Sequence, residues 1–183
     1  MDHVREWGWL LVDEFCWQRG GVPGKWSNRF KNTWEPVFHF SKQKEIKLIH
    51  KNVLHYSEDV KHYRKDRKET HSGFVSGSNP SSSGFALPGN TIIAHSGSHQ
   101  IDDREGVKHT ATFPIGLPLF FVSAFSDPSD VVYDPFIGSG TTLIASEQTG
   151  RRCYGMEISP AYCDVILRRW EEFTGGTAEV LDG

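Results

Sequence analysis

Apolar and polar positions alternate most clearly in the last third of the chain, where short apolar runs are separated by glycine-marked loops and mixed stretches. Val131, Val132 and Tyr133 are the β-branched and aromatic residues that a buried strand favours, and Asp134-Pro135 ends that run. From Thr141 the pattern predicts a helix, Leu143 to Gln148 forming its body, with Gly150 placed to stop it. Arg151 to Ile158 predicts a second short strand. Ser159-Pro160 then reads as an N-cap with proline at the first helical position, opening a helix through Tyr162, Val165, Ile166 and Arg169. Nearer the N-terminus, Trp34, Val37 and Phe40 fit half-buried strand positions, and core packing is expected of them. Residues 70–90, rich in Ser, Gly, Asn and Pro, predict loop, and Thr91 to His95 a short strand after it.

Between the predicted strand and helix lies Asp134-Pro-Phe-Ile-Gly-Ser-Gly-Thr-Thr142. Gly138 and Gly140 permit a tight turn and a close backbone approach that a Cβ would block. The first turn of the helix offers unpaired N–H groups that suit an anionic or polar ligand. Glu157 closes the next strand roughly twenty residues on, where a strand-loop-helix-strand unit places the acceptor for a ribose diol. Two ligand classes are disfavoured. A triphosphate-binding loop wants lysine before the Ser/Thr pair, and Gly140 stands there; a dinucleotide fingerprint wants a third glycine, and Leu143 stands there.

With DPFIGSGTT followed by GRRCYGMEISPAYC, residues His109 to Arg169 resemble the S-adenosyl-L-methionine-binding end of DNA methyltransferases that act on exocyclic amino groups, at adenine N6 or cytosine N4. The resemblance implies that Asp134, Pro135, Phe136, Gly138, Ser139, Gly140, Thr141 and Thr142 hold the methionine part of that cofactor and Glu157 its ribose. Lys108 to Pro114 resembles the family's His-Pro-x-x-Phe-Pro element, which implies that His109, Phe113 and Pro114 lie beside the cofactor where a helix opens; Thr110 departs from the usual proline. Trp9 to Trp17 and Asn32 to Lys42 resemble the late strands of such enzymes, and Glu35 stands where the family often has a glutamate, with a structural role expected.

The family holds its target base with an Asp/Asn/Ser-Pro-Pro-aromatic segment, whose ring stacks on the flipped base. Residues 1–183 contain no such tetrapeptide: Asp134-Pro-Phe belongs to the loop, and Asp127-Pro-Ser lacks a ring. No catalytic residue is therefore assigned within the chain. In the branch that the chain resembles, the catalytic segment precedes the cofactor loop. It is expected before Met1, in a missing segment or a separate chain.

Composition is consistent with a partial domain of an intracellular enzyme. The chain has 183 residues, enough for one sizeable core, with six Trp and twelve Phe to fill it. Mean hydropathy is −0.46, and without a long apolar run or a signal-peptide pattern no membrane partner is expected. Cys16, Cys153 and Cys163 show neither paired nor metal-type spacing and read as reduced thiols in a cytoplasmic setting, prokaryotic or phage-type. Nine scattered histidines suggest no metal site. Net charge is −3, unpromising for a DNA enzyme until it is divided. Residues 41–70 carry nine Lys/Arg against five acids, and 127–183 carry four against ten. Lys61, Arg64, Lys65, Arg67 and Lys68 lie where this family inserts its recognition region, which points to double-stranded DNA as partner.

The resemblance thus implies an α/β, Rossmann-like methyltransferase fold, incomplete at its N-terminal side, with an inserted target-recognition region. Residues 1–41 would be late strands of the sheet, 42–106 the target-recognition region and 107–183 the S-adenosyl-L-methionine-binding half. The implied activity is methyl transfer to adenine N6 or cytosine N4 in DNA. A catalytically inactive remnant that binds cofactor or DNA, and a methyltransferase acting on RNA or a small molecule, stand as alternatives.

Overall fold

The computed structural model describes residues 6–19, 28, 30, 32–53, 55–56, 85–94 and 113–181. Two antiparallel strands, β1 (Leu10–Gln18) and β2 (Trp34–Ser41), run with Leu10 opposite Ser41 and Gln18 opposite Trp34, the register slipping between Leu11 and Asp13. β3 (His55–Tyr56) pairs antiparallel with β4 (Phe85–Ala86) as a separate ribbon. β5 (Thr91–Ile93) joins the free edge of β1 in parallel, Trp17 opposite Ile92, giving the order β2-β1-β5. This places Thr91–Ile93 beside the N-terminal strands although it lies within 42–106 in sequence.

Strand geometry sends successive side chains to opposite faces, and Phe15 and Trp17 turn to the same face. There they meet Ile92, Ala94 and Leu117 in a buried cluster, with Val37, Phe120, Phe121 and Phe125 packed around it. The cover is α1 (Gly116–Phe125), apolar along most of its length. Phe15 meets Phe121 edge-on at 5.1 Å and Phe120 at 6.3 Å, contacts worth about 0.5–1.5 kcal/mol each beyond their buried area. The indole of Trp17 is not left unsatisfied: its Nε1 donates to the Ala94 carbonyl at 3.1 Å.

The same alternation corrects one expectation. In β2 the inner side chains are Glu35, Val37 and His39, so Trp34 and Val37 face opposite ways. Val37 packs on the core, whereas Trp34 remains 47% exposed. Phe40 shares the face of Trp34 and is half-buried, tilted against Phe38 at 6.3 Å. Glu35 forms an ion pair with Arg19, a structural role as expected.

The C-terminal part is a strand-helix-strand-helix unit. β6 (Val131–Asp134) and β7 (Arg152–Gly155) lie parallel, with α2 (Thr141–Gln148) between them in sequence and α3 (Pro160–Thr174) after them. Helix α2 buries Thr141, Ile144, Ala145 and Ser146. Gly150, just beyond its end, has φ +70°. The second strand stops at Gly155, so Met156 and Glu157 emerge past it. Val131 and Tyr133, expected in a buried strand, are 54% and 58% exposed. Among the described residues β6 pairs with β7 alone, and a two-stranded sheet has no neighbours to shield its outer face.

Polar ties join the two parts. Arg151, 8% exposed, donates to the Ser126 carbonyl at the end of α1, to Ser126 Oγ and to the Thr149 carbonyl. Lys47 lies 2.6 Å from Asp127 and 3.2 Å from Asp130. Those two carboxylates raise the Lys47 ammonium above its ordinary pKa, Asp127 contributing most. The Asp127 amide, and then Lys47, hold the Asp130 carboxyl below the ordinary carboxylate value.

Candidate cofactor-binding site

The loop from Asp134 to Gly140 is folded by its own polar groups. Asp134 staples it: Oδ1 accepts from the Phe136 amide at 3.0 Å and Oδ2 from the Thr142 hydroxyl at 2.7 Å. Two backbone bonds then lace the loop to the end of β7. The Met156 amide donates to the Asp134 carbonyl at 3.0 Å, and the Ile137 amide to the Met156 carbonyl at 3.1 Å. Glu157, the next residue, is thereby brought beside the loop.

Gly138 and Gly140 have φ +55° and +81°, left-handed conformations that glycine adopts without strain. The sequence suggested that bare backbone at Gly140 leaves room for a ligand. Here a Cβ would instead meet Ile166 of α3, 3.2 Å from Cγ1 and 3.3 Å from Cγ2. The glycine serves the packing of the loop on that helix. Gly140 is also the N-cap of α2, without a side-chain cap. The amides of Thr141, Thr142 and Leu143 find no acceptor among the described residues and are left to face a polar or anionic group.

Glu157 is half-buried, and its Oε1 accepts from the Ser159 amide at 2.8 Å. That bond holds the amide of Ser159 itself, just ahead of α3. Ser159 does stand at the N-cap with Pro160 following, but its hydroxyl caps nothing. Oε2 of Glu157 keeps no partner among the described residues, leaving it to accept from a ligand.

Of the other expected site residues, Ser139 and Thr141 are buried, while Pro135 and Phe136 are exposed, Phe136 at 88%. Phe113 and Pro114 stand just ahead of α1, Pro114 accepting from the Leu117 amide at 3.0 Å. No hydrogen bond or ring contact joins either to the loop among the described residues. His109 lies outside the described residues, as do Lys61, Arg64, Lys65, Arg67 and Lys68.

Sequence reasoning missed three supports of the loop. A Cβ on Gly155 would come within 2.2 Å of Ile137 Cδ1, so glycine there gives the loop room to sit over the end of β7; an isolated glycine closing a strand was the available signal. Ile166 packs against Gly140. Arg169 donates to the Ser139 carbonyl. Behind the loop, burial pushes the Cys153 thiol up against a smaller opposing effect of the Ser146 hydroxyl, keeping it a neutral packing group. A groove of about 500 Å³ opens elsewhere, between β1, α1 and residues 46–53 and 87–90. Apart from Asp13 and Asn90 its lining is mostly apolar, and it holds no grouping suited to acid-base or nucleophilic chemistry.

These features suit a ligand with a polar or anionic end for the first turn of α2 and a diol for Glu157. S-adenosyl-L-methionine, with its carboxylate and ribose, has both.

A family model described as DNA methylase matches residues 1–168. The Type II methyltransferase M.PvuII of Proteus hauseri is 31% identical over 180 residues, covering 87% of this chain and 54% of that protein. A solved structure titled PvuII DNA methyltransferase (cytosine-N4-specific) superposes with a TM-score of 0.67 at 24% identity, over 94% of this chain and 57% of the other. A second, the M1.HpyAVI-SAM complex, superposes with a TM-score of 0.58 at 21% identity, over 92% of this chain and 66% of the other. The fold is therefore the Rossmann-like one of these methyltransferases. The first curated relatives are spanned by this chain over only 37% to 66% of their length.

Proposed function

Because this chain belongs to the DNA methylase family, whose model matches residues 1–168, we propose that it is the cofactor-binding and target-recognition portion of a site-specific DNA methyltransferase. The methyl group moves from S-adenosyl-L-methionine to an exocyclic amino group in double-stranded DNA, adenine N6 or cytosine N4. One observation supports the proposal above all: the glycine loop that leads into α2 is laced to the end of β7, which brings Glu157 beside that loop. When bound, the cofactor supplies a methyl group already activated by its sulfonium. What remains for the protein is binding and orientation.

In this reading the amides of Thr141, Thr142 and Leu143 take the carboxylate end, and Oε2 of Glu157 takes the ribose. Asp134, with both oxygens engaged inside the loop, keeps the loop in shape. Pro135, Phe136, Gly138 and Ser139 form the rest of the cradle, with His109, Phe113 and Pro114 along its flank. Residues 1–41 contribute late strands and 42–106 recognise the target, Lys61, Arg64, Lys65, Arg67 and Lys68 meeting phosphates. The groups that hold the target amino group come from a missing segment or a separate chain, since residues 1–183 lack the Pro-Pro-aromatic tetrapeptide. Among the described residues no helix is long and apolar enough to cross a membrane; a cytoplasmic setting is proposed on the likeness to bacterial DNA methyltransferases.

Titration calorimetry with S-adenosyl-L-methionine tests the site. Glu157→Ala should weaken binding by about 1–3 kcal/mol, the cost of removing an acceptor. Gly140→Val should abolish it, because valine would be strained at φ +81° and would strike Ile166. Equal affinity in the wild type and both variants, each folded by far-UV circular dichroism, would end the assignment.

A further inference from the structure

Arg169 lies on α3, thirty positions along the chain from the carbonyl to which its guanidinium donates, that of Ser139 in the glycine loop. It is half-buried, and burial lowers its pKa below the ordinary guanidinium value, while a guanidinium in a protein stays charged. No carboxylate forms an ion pair with it among the described residues. A cation drawn partly out of water and bonded to a backbone oxygen is costly unless that oxygen has to be held.

The carbonyl belongs to the Ser139–Gly140 peptide, whose N–H end is also held. The Gly140 amide donates to the Ile137 carbonyl at 2.9 Å. With both ends bonded the peptide plane cannot turn, and Gly140 keeps its left-handed φ immediately before α2. Ile166, one helical turn before Arg169, packs against Gly140 from the same helix. The arrangement draws the Ser139 oxygen to α3, while the donors of the first turn of α2 remain available.

Resting on the cofactor site proposed above, we infer that Arg169 is a positioning residue for S-adenosyl-L-methionine: it touches no ligand, but fixes the Ser139–Gly140 peptide so that the loop meets the cofactor with its N–H groups. Without it the peptide can flip and present a carbonyl oxygen to the carboxylate. The guanidinium also adds positive charge behind a site built for an anionic group.

The test uses the full chain with three readouts: calorimetric affinity for S-adenosyl-L-methionine, melting temperature without ligand, and amide hydrogen exchange at Gly140 and Thr141 without ligand. Arg169→Met keeps the length and apolar stem and should lower affinity about ten- to a hundredfold, the range for losing a hydrogen bond from a charged donor. Arg169→Lys, which retains a donor and the charge, should recover part of that loss. Exchange at Gly140 and Thr141 should quicken in Arg169→Met while the exchange of β1, far from the loop, stays as in the wild type. Unchanged affinity together with unchanged exchange in Arg169→Met would overturn the inference, as would a melting temperature lowered equally by Met and Lys with affinity lost equally in both. Should Arg169→Met fail to fold, Arg169→Gln, too short to reach Ser139, replaces it with the same expected and overturning results. If the wild type itself binds no S-adenosyl-L-methionine, the proposed function fails. The positioning of the cofactor by Arg169 then falls with it, and exchange decides only whether Arg169 holds the Ser139–Gly140 peptide, quickening supporting that and an unchanged rate overturning it.

Discussion

Gly155 shows how one missing Cβ shapes the site. The Ile137 side chain, 7% exposed, lies where that Cβ would be, at 2.2 Å from its Cδ1 and 3.0 Å from its Cβ. Gly155 closes a strand and its φ is not positive, so alanine would suit the backbone and only the crowding should count. Gly155→Ala is expected to cost about 1–3 kcal/mol in urea unfolding, the usual penalty of overpacking. Ile137→Val, which removes the nearest methyl, should return part of that stability in the double variant. Full stability in Gly155→Ala alone would mean that Ile137 moves aside freely.

At the scale of elements, the parallel pair β6-β7 is the least protected part. Parallel strands are normally covered on both faces. Here α2 packs beside β7, while Val131, Tyr133 and Tyr154 stay more than half exposed along with Met156, whose sulfur accepts from the Tyr133 hydroxyl at 2.8 Å. The other edge of β6 has no partner among the described residues, and such an edge invites pairing with another chain. Residues 1–183 on their own should therefore associate as concentration rises in sedimentation velocity, and show no methyl transfer to DNA in a radiolabel assay. Val131→Lys with Tyr133→Lys should shift the chain towards monomer. A monomeric wild type that turns over would refute both expectations.

For the molecule as a whole, charge is divided by place. The C-terminal part is acidic, and two of its acids, Asp127 and Asp130, hold Lys47. Lys42 sits 4.8 Å from the centre of the Trp9 ring. Those two cations of the basic stretch thus have partners within the protein; in the function proposed above, contact with DNA is assigned to Lys61, Arg64, Lys65, Arg67 and Lys68. Neutralising Lys65, Arg67 and Lys68 together should flatten the slope of log affinity for double-stranded DNA against log salt by up to about three, roughly one per phosphate contact. An unaltered slope in a folded variant would reduce the run to a solvated surface.

Local chemistry alone determined the strand into the loop at Val131, the start of α2 at Thr141 and Pro160 at the head of α3. Each depends on neighbours a few residues apart, whose backbone preferences and hydrogen-bonding groups can be read in order. Tertiary structure decided what such reading could not reach. That Trp34 faces outward follows from the pairing and pleat of β2 against β1, not from its own apolar character. That Gly140 is needed for Ile166, Gly155 for Ile137 and Ser139 for Arg169 follows from contacts across 26, 18 and 30 positions of the chain, made only once α3 and β7 are folded against the loop. Asp134 read as a ligand group for the same reason: a carboxylate at a glycine loop can face outward or inward, and only the fold placed the Phe136 amide and Thr142 hydroxyl where both its oxygens are taken up.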